Sequence, residues 1–429
     1  MRWKAMNYNE LSKSEREAKL SELNDAYNAY VNMGLKLDMS RGKPGEDQLA
    51  LSNKMLTILE ENDYTNPSGI DCRNYGGLEG IPEMKALFAA ILDISPEEVI
   101  VGGNSSLAMM FDNVAVNMSH GVWDGEPWMK QGQVKFLCPS PGYDRHFTIC
   151  EYFHIDMIPV PMTQEGPDMD MVEELVATDP MIKGMWCVPV FSNPEGIIYS
   201  DETVYRLAAL KPAAEDFRLY WDNAYSIHHF RGSRPSIPNI LRECEKAGNP
   251  HMPLIFASFS KVSMAGAGVA AMASSVSTCE YIRKRFFVQT IGPDKLSQLR
   301  HVRFFKNYDG VIKHMGKMAE IIRPKFVTVF NTLKNELEGL GIAEWNEPDG
   351  GYFVSFNTLD GCAKRTVALC KEAGVTMTGA GATFPYGRDP RDRNIRIAPT
   401  YPSVSELDTA MKVFCLAVKI ASLEKLTQE

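Results

Sequence analysis

No stretch of the 429 residues approaches the ~18 consecutive apolar residues that a membrane-spanning helix requires, and Met1-Arg2-Trp3-Lys4-Ala5-Met6-Asn7-Tyr8 lacks the apolar core of a secretory leader. No membrane partner is expected. The nine cysteines, Cys72, Cys138, Cys150, Cys187, Cys244, Cys279, Cys362, Cys370 and Cys415, include no Cys-x-x-Cys pair. Their odd number and their place in apolar runs read as buried thiols in a reducing, cytoplasmic compartment, with no metal site. Basic runs are also missing. Net charge is −9 with the signs interspersed, which weighs against a nucleic-acid surface. Neither Gly-x-Gly-x-x-Gly nor a Walker-type loop supports a generic nucleotide-binding reading.

What is present is a chain with 45% hydrophobic residues, long enough for two domains with substantial cores. Its central feature is Ala257-Ser258-Phe259-Ser260-Lys261-Val262-Ser263, which follows the strand-like Leu254-Ile255-Phe256 and precedes a Gly/Ala-rich return through Val269-Ala270-Ala271-Met272-Ala273. Lys261 thus sits at the mouth of a buried strand. Among small, largely apolar neighbours a lysine is poorly solvated, and its amine can attack carbonyls.

Two polar clusters, Ser192-Asn193-Pro194-Glu195-Gly196 and Trp221-Asp222-Asn223-Ala224-Tyr225, each follow an apolar run, Met185 to Phe191 and Phe217 to Trp221. Both fall at strand C-terminal ends, the edge where open parallel α/β sheets bind ligands. An aspartate there can hold a protonated pyridine nitrogen, and an Asn and a Tyr can hydrogen-bond a phenolate oxygen.

Asn-Pro-x-Gly, Asp-x-Ala-Tyr, Ser-x-Ser-Lys and a late arginine in Asn394-Ile395-Arg396-Ile397-Ala398-Pro399, in that order, resemble the fold-type I pyridoxal-phosphate aminotransferases of class I/II. Within them, Ser-Lys-x-x-x-Ala-Gly-Ala-Gly-Val-Ala and Gln289-Thr290-Ile291-Gly292-Pro293-Asp294-Lys295 are similar to the bacterial aspartate aminotransferase subgroup related to MocR-type proteins. No helix-turn-helix segment is read ahead of the candidate catalytic region. The resemblance implies an α/β fold with a large domain built on a mostly parallel, mixed seven-stranded sheet and a smaller α+β domain. It divides the chain into an arm and part of the small domain (1–60), a large cofactor-binding domain (61–320) and a C-terminal small domain (321–429).

The same resemblance implies pyridoxal 5'-phosphate as cofactor, carried by Lys261, with Asp222 on the pyridine nitrogen and Asn193 and Tyr225 on the phenolate side. Tyr143, in Pro139-Ser140-Pro141-Gly142-Tyr143, would stack on the ring; an ordinary turn tyrosine is the alternative. Val99-Ile100-Val101-Gly102-Gly103-Asn104-Ser105-Ser106 reads as strand, turn and helix start. Asn104, Ser105 and Ser106 are therefore candidate phosphate ligands, although Ser and Asn also serve as plain N-caps. Ser258 and Ser260 join them. Many relatives carry a phosphate-binding arginine shortly after the lysine, where this chain has Gly268.

Tyr75 would reach the cofactor phosphate of a partner subunit, implying a homodimer with shared active sites; a core tyrosine is the other reading. Arg396 would clamp the substrate α-carboxylate through a two-pronged guanidinium contact, with a surface salt bridge as the alternative. Gly42, in the loop Leu37 to Gly45, would let backbone approach the substrate carboxylate, and Asn193 is a further substrate-binding candidate. The expected reaction is ping-pong amino transfer between an L-amino acid, aspartate by resemblance, and a 2-oxo acid, 2-oxoglutarate. A side-chain carboxylate would need a further cation, with Arg41, Lys43, Arg300 and Arg303 available. A pyridoxal-phosphate β-lyase and a non-catalytic ligand sensor are the rival readings.

Overall fold

β-branched and aromatic runs bounded by Gly, Pro and polar turns form the strands. The computed structural model describes residues 7–428, so the reading of residues 1–6 as lacking a leader core lies outside the described residues. The strands, in chain order, begin with β1 (Leu37–Met39), β2 (Val99–Val101), β3 (Lys135–Ser140), β4 (Asp156–Thr163), β5 (Gly166–Pro167) and β6 (Ile182–Cys187). They continue with β7 (Arg218–Asp222), β8 (Pro253–Ser258), β9 (Ala270–Ala273), β10 (Ala343–Trp345), β11 (Val354–Thr358), β12 (Val375–Met377) and β13 (Asn394–Ile397).

Eight strands make one sheet in the order β2-β9-β8-β7-β6-β3-β4-β5. From β8 to β4 neighbours run parallel, while β9 is antiparallel to both β8 and β2. These are the seven strands of the expected mixed sheet. The eighth, β5, is a two-residue edge piece antiparallel to β4, too short to leave a periodic pattern in the sequence. Every residue of β6 and β7 is buried, as expected for parallel strands covered on both faces. Adjacent parallel strands bring the ends of β6, β7 and β8 to one edge, with Cys187 beside Trp221 and Asp222 beside Phe256.

Within β6, Gly184 is a packing requirement, because a Cβ there would lie 2.5 Å from Cζ of Phe136. Gly184→Val is expected to destabilise the fold by about 3 kcal/mol through overpacking, read as a lowered midpoint in chemical denaturation.

The remaining strands form an antiparallel β10-β11-β13 sheet and a parallel β1-β12 pair. The pair ties the N-terminal arm to the C-terminal part of the chain. Helix Lys13–Asn32, opened by a Ser12/Glu15 capping box, reinforces this link through Tyr27, whose hydroxyl donates to Leu369 O at 2.7 Å. Tyr8, Leu23, Tyr27 and Met39 share one core with the closing helix, Val404–Gln428. Two other cores hold residues of the large sheet. The long helix Tyr308–Leu337 spans the change of core: Val311, Met315 and Met318 pack with the sheet, and Ile322, Phe326 and Val329 with the arm and closing helix. All nine cysteines are buried and none forms a disulfide. No helix among the described residues is long and apolar enough to cross a membrane.

Candidate active site

Asp222 is the last residue of β7, and Lys261 lies just beyond β8 on the neighbouring strand. Between them a cavity of about 160 Å³ is lined by Ser105, Ser106, Tyr143, Asn193, Asp222, Tyr225, Ser258, Ser260 and Lys261, together with Leu107, Val188 and Ala224. Nine of the residues singled out from the sequence therefore share one space. A cleft of about 400 Å³ behind Trp221 and Asn223 is larger but has no lysine in its lining. Size does not choose the site; chemistry does.

The Asp222 carboxylate is buried and only half used. Its Oδ2 lies 3.1 Å from Nε2 of His146, a buried ring stacked on Trp186 at 4.4 Å with an interplanar angle of 10°. Its Oδ1 is buried without a hydrogen-bond partner. A buried carboxylate oxygen left this way is costly unless a donor arrives. A protonated ring nitrogen is such a donor, so the residues present fit a pyridinium cofactor.

Lys261 places its Nζ 4.9 Å from the Tyr225 ring centre and 5.9 Å from that of Tyr352. Burial pushes the Tyr143 phenol up to about 12, with the Lys261 charge opposing the rise. Burial raises Tyr225 as well, with the Asp222 charge adding to the effect. Both phenols stay protonated at neutral pH and can donate hydrogen bonds.

Opposite Lys261, helix Ser106–His120 begins at the cavity wall. Ser105 is its N-cap, yet its side chain makes no capping bond. The plain-cap reading therefore does not account for this serine. Asn104 does not line the cavity. It is exposed, its Nδ2 donates to Gly266 O at 3.5 Å, and its carbonyl accepts from Ser260 Oγ at 3.0 Å. No arginine occupies the position of Gly268, where a Cβ would meet Ser260 N and Met264 O at 3.2 Å.

Arg396, in β13, is buried and reaches the cavity through Asn193: its Nη1 donates to Asp144 Oδ1 at 2.7 Å and to Asn193 Oδ1 at 3.3 Å. Its Nε is buried without a partner. The guanidinium carbon sits 4.8 Å from the centre of the Phe353 ring. Gly42 packs against that same ring, where a Cβ would fall 2.2 Å from Cζ. Gly42 thus lies outside the cavity but against the wall that supports Arg396. The Asn193 loop is fixed from the same side, since Glu195 accepts from Asn346 Nδ2 and Ser355 Oγ, each at 2.7 Å. Burial pushes the Glu195 carboxyl up.

A model of the aspartate amino-transferase family matches residues 11–429. The chain belongs to that family. It is 48% identical over 395 residues to a putative aminotransferase of Mycolicibacterium smegmatis, covering 91% of this chain and 92% of that protein. It is 42% identical over 399 residues to an aspartate aminotransferase of Corynebacterium glutamicum, covering 93% and 92%. A crystal structure of an aspartate transaminase from Corynebacterium glutamicum superposes with a TM-score of 0.96 at 40% identity, covering 98% of this chain and all of that one. The protein is an aminotransferase with the fold-type I architecture of pyridoxal-phosphate enzymes.

In this aminotransferase Tyr75 stands away from the cavity, 81% exposed. It is held outward, because the buried Lys295 donates to the carbonyls on either side of it, Asn74 O at 2.7 Å and Gly76 O at 2.6 Å. Of the four cations considered for a side-chain carboxylate, Arg303 is paired with Asp63 at 2.7 Å and Lys43 lies over the Tyr401 ring at 3.7 Å. Arg300 Nε donates to Leu296 O, and Arg41 is exposed beside Gly42. His146, Tyr352 and Phe353 were not singled out from the sequence. His146 alone had a local signal, one helical turn beyond Tyr143.

Proposed function

We propose that this aminotransferase uses pyridoxal 5'-phosphate, bound through Lys261, to move the amino group of aspartate to 2-oxoglutarate in a ping-pong cycle. The observation that carries the reading is the buried, unpartnered Oδ1 of Asp222 in the cavity lined by Lys261. The family implies the cofactor, and the identity to an aspartate aminotransferase favours the substrate. When bound, the cofactor supplies an electron sink for the carbanion formed at the substrate α-carbon.

The chain's own groups do the rest. Asp222 holds a proton on the ring nitrogen, and its bond to His146 fixes the carboxylate plane. Asn193 and Tyr225 would hydrogen-bond the phenolate side of the cofactor, and Tyr143 would support its ring face. Ser105, Ser106, Ser258 and Ser260 offer hydroxyl donors to the phosphate, with the helix N-terminus adding partial positive charge; Asn104 contributes through the Ser260 contact. The Lys261 amine would act as the general base, its nitrogen lone pair accepting the proton from the substrate α-carbon. Arg396 binds the α-carboxylate by exchanging its contact with Asp144, and Gly42 admits the Phe353 ring beneath it.

The division into an arm with part of a small domain (1–60), a large domain (61–320) and a C-terminal domain (321–429) is part of this reading, supported by the change of core along helix Tyr308–Leu337. So are a homodimer and a cytoplasmic location. Exposed Tyr75, Phe287, Val288 and Ile291 provide uncovered apolar surface. Gly292 lies close against Gly76, where a Cβ would be 2.7 Å from its carbonyl, so the Ile291 and Tyr75 loops adjoin. A second copy covering them would take Tyr75 into its own site.

Aspartate added to the cofactor-loaded protein without an oxo acid should bleach the yellow absorption and release oxaloacetate in stoichiometric amount. Subsequent 2-oxoglutarate should restore the colour and yield glutamate. Pyruvate with ammonia would instead establish a lyase, and an unchanged spectrum would remove aspartate as substrate.

A further inference from the structure

Lys261, Val262 and Ser263 lie in a turn that leaves two carbonyls uncommitted. The N–H groups of Val262 and Ser263 both donate to Phe259 O, at 3.0 and 2.9 Å. Among the described residues no backbone donor takes the carbonyls of Lys261 or Val262. In a buried segment such groups require partners. Histidines supply them. His228 Nε2 lies 3.3 Å from Lys261 O, His314 Nε2 lies 2.7 Å from Val262 O, and His301 Nε2 lies 2.7 Å from Ser263 Oγ. Three consecutive residues are thus each held by a buried histidine, and the three rings come from separate elements: the loop after β7, helix Lys295–Phe305 and helix Tyr308–Leu337. They are three of only eight histidines in the chain.

The partners fix the tautomers. A carbonyl only accepts, so the Nε2 atoms of His228 and His314 carry hydrogen. Nδ1 of His228 is then a bare lone pair, and it has no partner. His301 is reversed: its Nδ1 lies 2.7 Å from Ser297 O and carries the hydrogen, leaving Nε2 to accept from the Ser263 hydroxyl. Burial lowers all three, His228 to about 3 and His301 to about 4, so the rings are neutral at physiological pH. Aromatic walls hold them, with His228 against Tyr225 and Tyr352 and His314 against Phe304 and Phe305. Tyr352 adds a second donor to Lys261 O at 3.3 Å.

We propose that His228, His301 and His314 are positioning residues that hold the Lys261 turn as one rigid unit and so present the Lys261 amine to the cavity. Neutral rings brace a segment whose downstream neighbours, Ala265 to Gly268, offer only small side chains. The functional consequence rests on Lys261 being the cofactor lysine; the bracing itself does not.

Hydrogen exchange followed by mass spectrometry on the full chain tests this. His228→Leu and His314→Leu should speed exchange at Val262 and Ser263 by about tenfold or more with β7 unchanged, and His→Gln at each site, which keeps an N–H donor, should restore protection. In cofactor-loaded protein the pH midpoint of the absorption change should shift in the Leu variants and return in the Gln variants. Wild-type protection in both folded Leu variants would overturn the proposal. If a Leu variant does not fold, nitrogen-15 spectra of selectively labelled histidines in the unsubstituted protein decide: Nε2–H at His228 and His314 is expected, and Nδ1–H at either would remove the donor and overturn it. Failure of the unsubstituted chain to take up pyridoxal phosphate would sink the reading of Lys261 as the cofactor lysine while leaving the exchange result standing.

Discussion

Lys261→Ala is expected to abolish transamination, lowering the rate by on the order of 10⁴-fold or more. The substitution removes the covalent attachment and the proton carrier at once, and a positioned general acid–base group alone contributes about 10²–10⁴-fold. The fold should survive. Lys261 is half-buried, and its main-chain contacts with His228 and Tyr352 are made by the carbonyl, which alanine retains. Borohydride reduction followed by peptide mapping gives the matching chemical result: cofactor fixed to the peptide that carries Lys261 in the parent, and to no peptide in the variant. A variant rate within about tenfold of the parent would show that the amine is not the reacting group.

Asp222→Asn should be the next most damaging change, with a loss of roughly 10²–10⁴-fold. The asparagine fills the same space but carries no charge with which to keep a ring nitrogen protonated. Losing one partner of a buried ionic contact costs about 3–5 kcal/mol, the origin of that range. The variant should also bind pyridoxal phosphate more weakly, measurable by quenching of intrinsic fluorescence. Because Oδ2 already contacts His146, the effect must come through Oδ1, the oxygen without a partner. His146→Asn, which loosens the carboxylate without removing its charge, should therefore cost less than Asp222→Asn. Parent-like turnover in Asp222→Asn would remove the pyridinium contact from the mechanism.

Much of the site was legible in the sequence for one physical reason. Asn193, Asp222, Tyr225 and Lys261 each follow an apolar run, and in a parallel sheet the ends of such runs converge. The hydroxyl groups of Ser105 and Ser106 were legible for a similar reason, at the junction of a short strand and a helix. The supporting residues were not legible. Phe353 gains its place only because Gly42, far away in sequence, packs against its ring and Arg396 lies over it. His228, His301 and His314 look like unrelated core residues until three elements meet around one turn. The eighth strand, β5, has two residues and no pattern to read.

The sequence by itself determined which chemical groups this aminotransferase possesses, their order, and the strand ends on which they sit, since hydrophobic periodicity is a local property. Only the tertiary structure decided which of them share one cavity, that Asp222 keeps one oxygen free while His146 holds the other, and that Tyr75 faces outward. Those outcomes depend on contacts between residues far apart in the chain, where burial and hydrogen-bond satisfaction act together and leave no mark on local pattern.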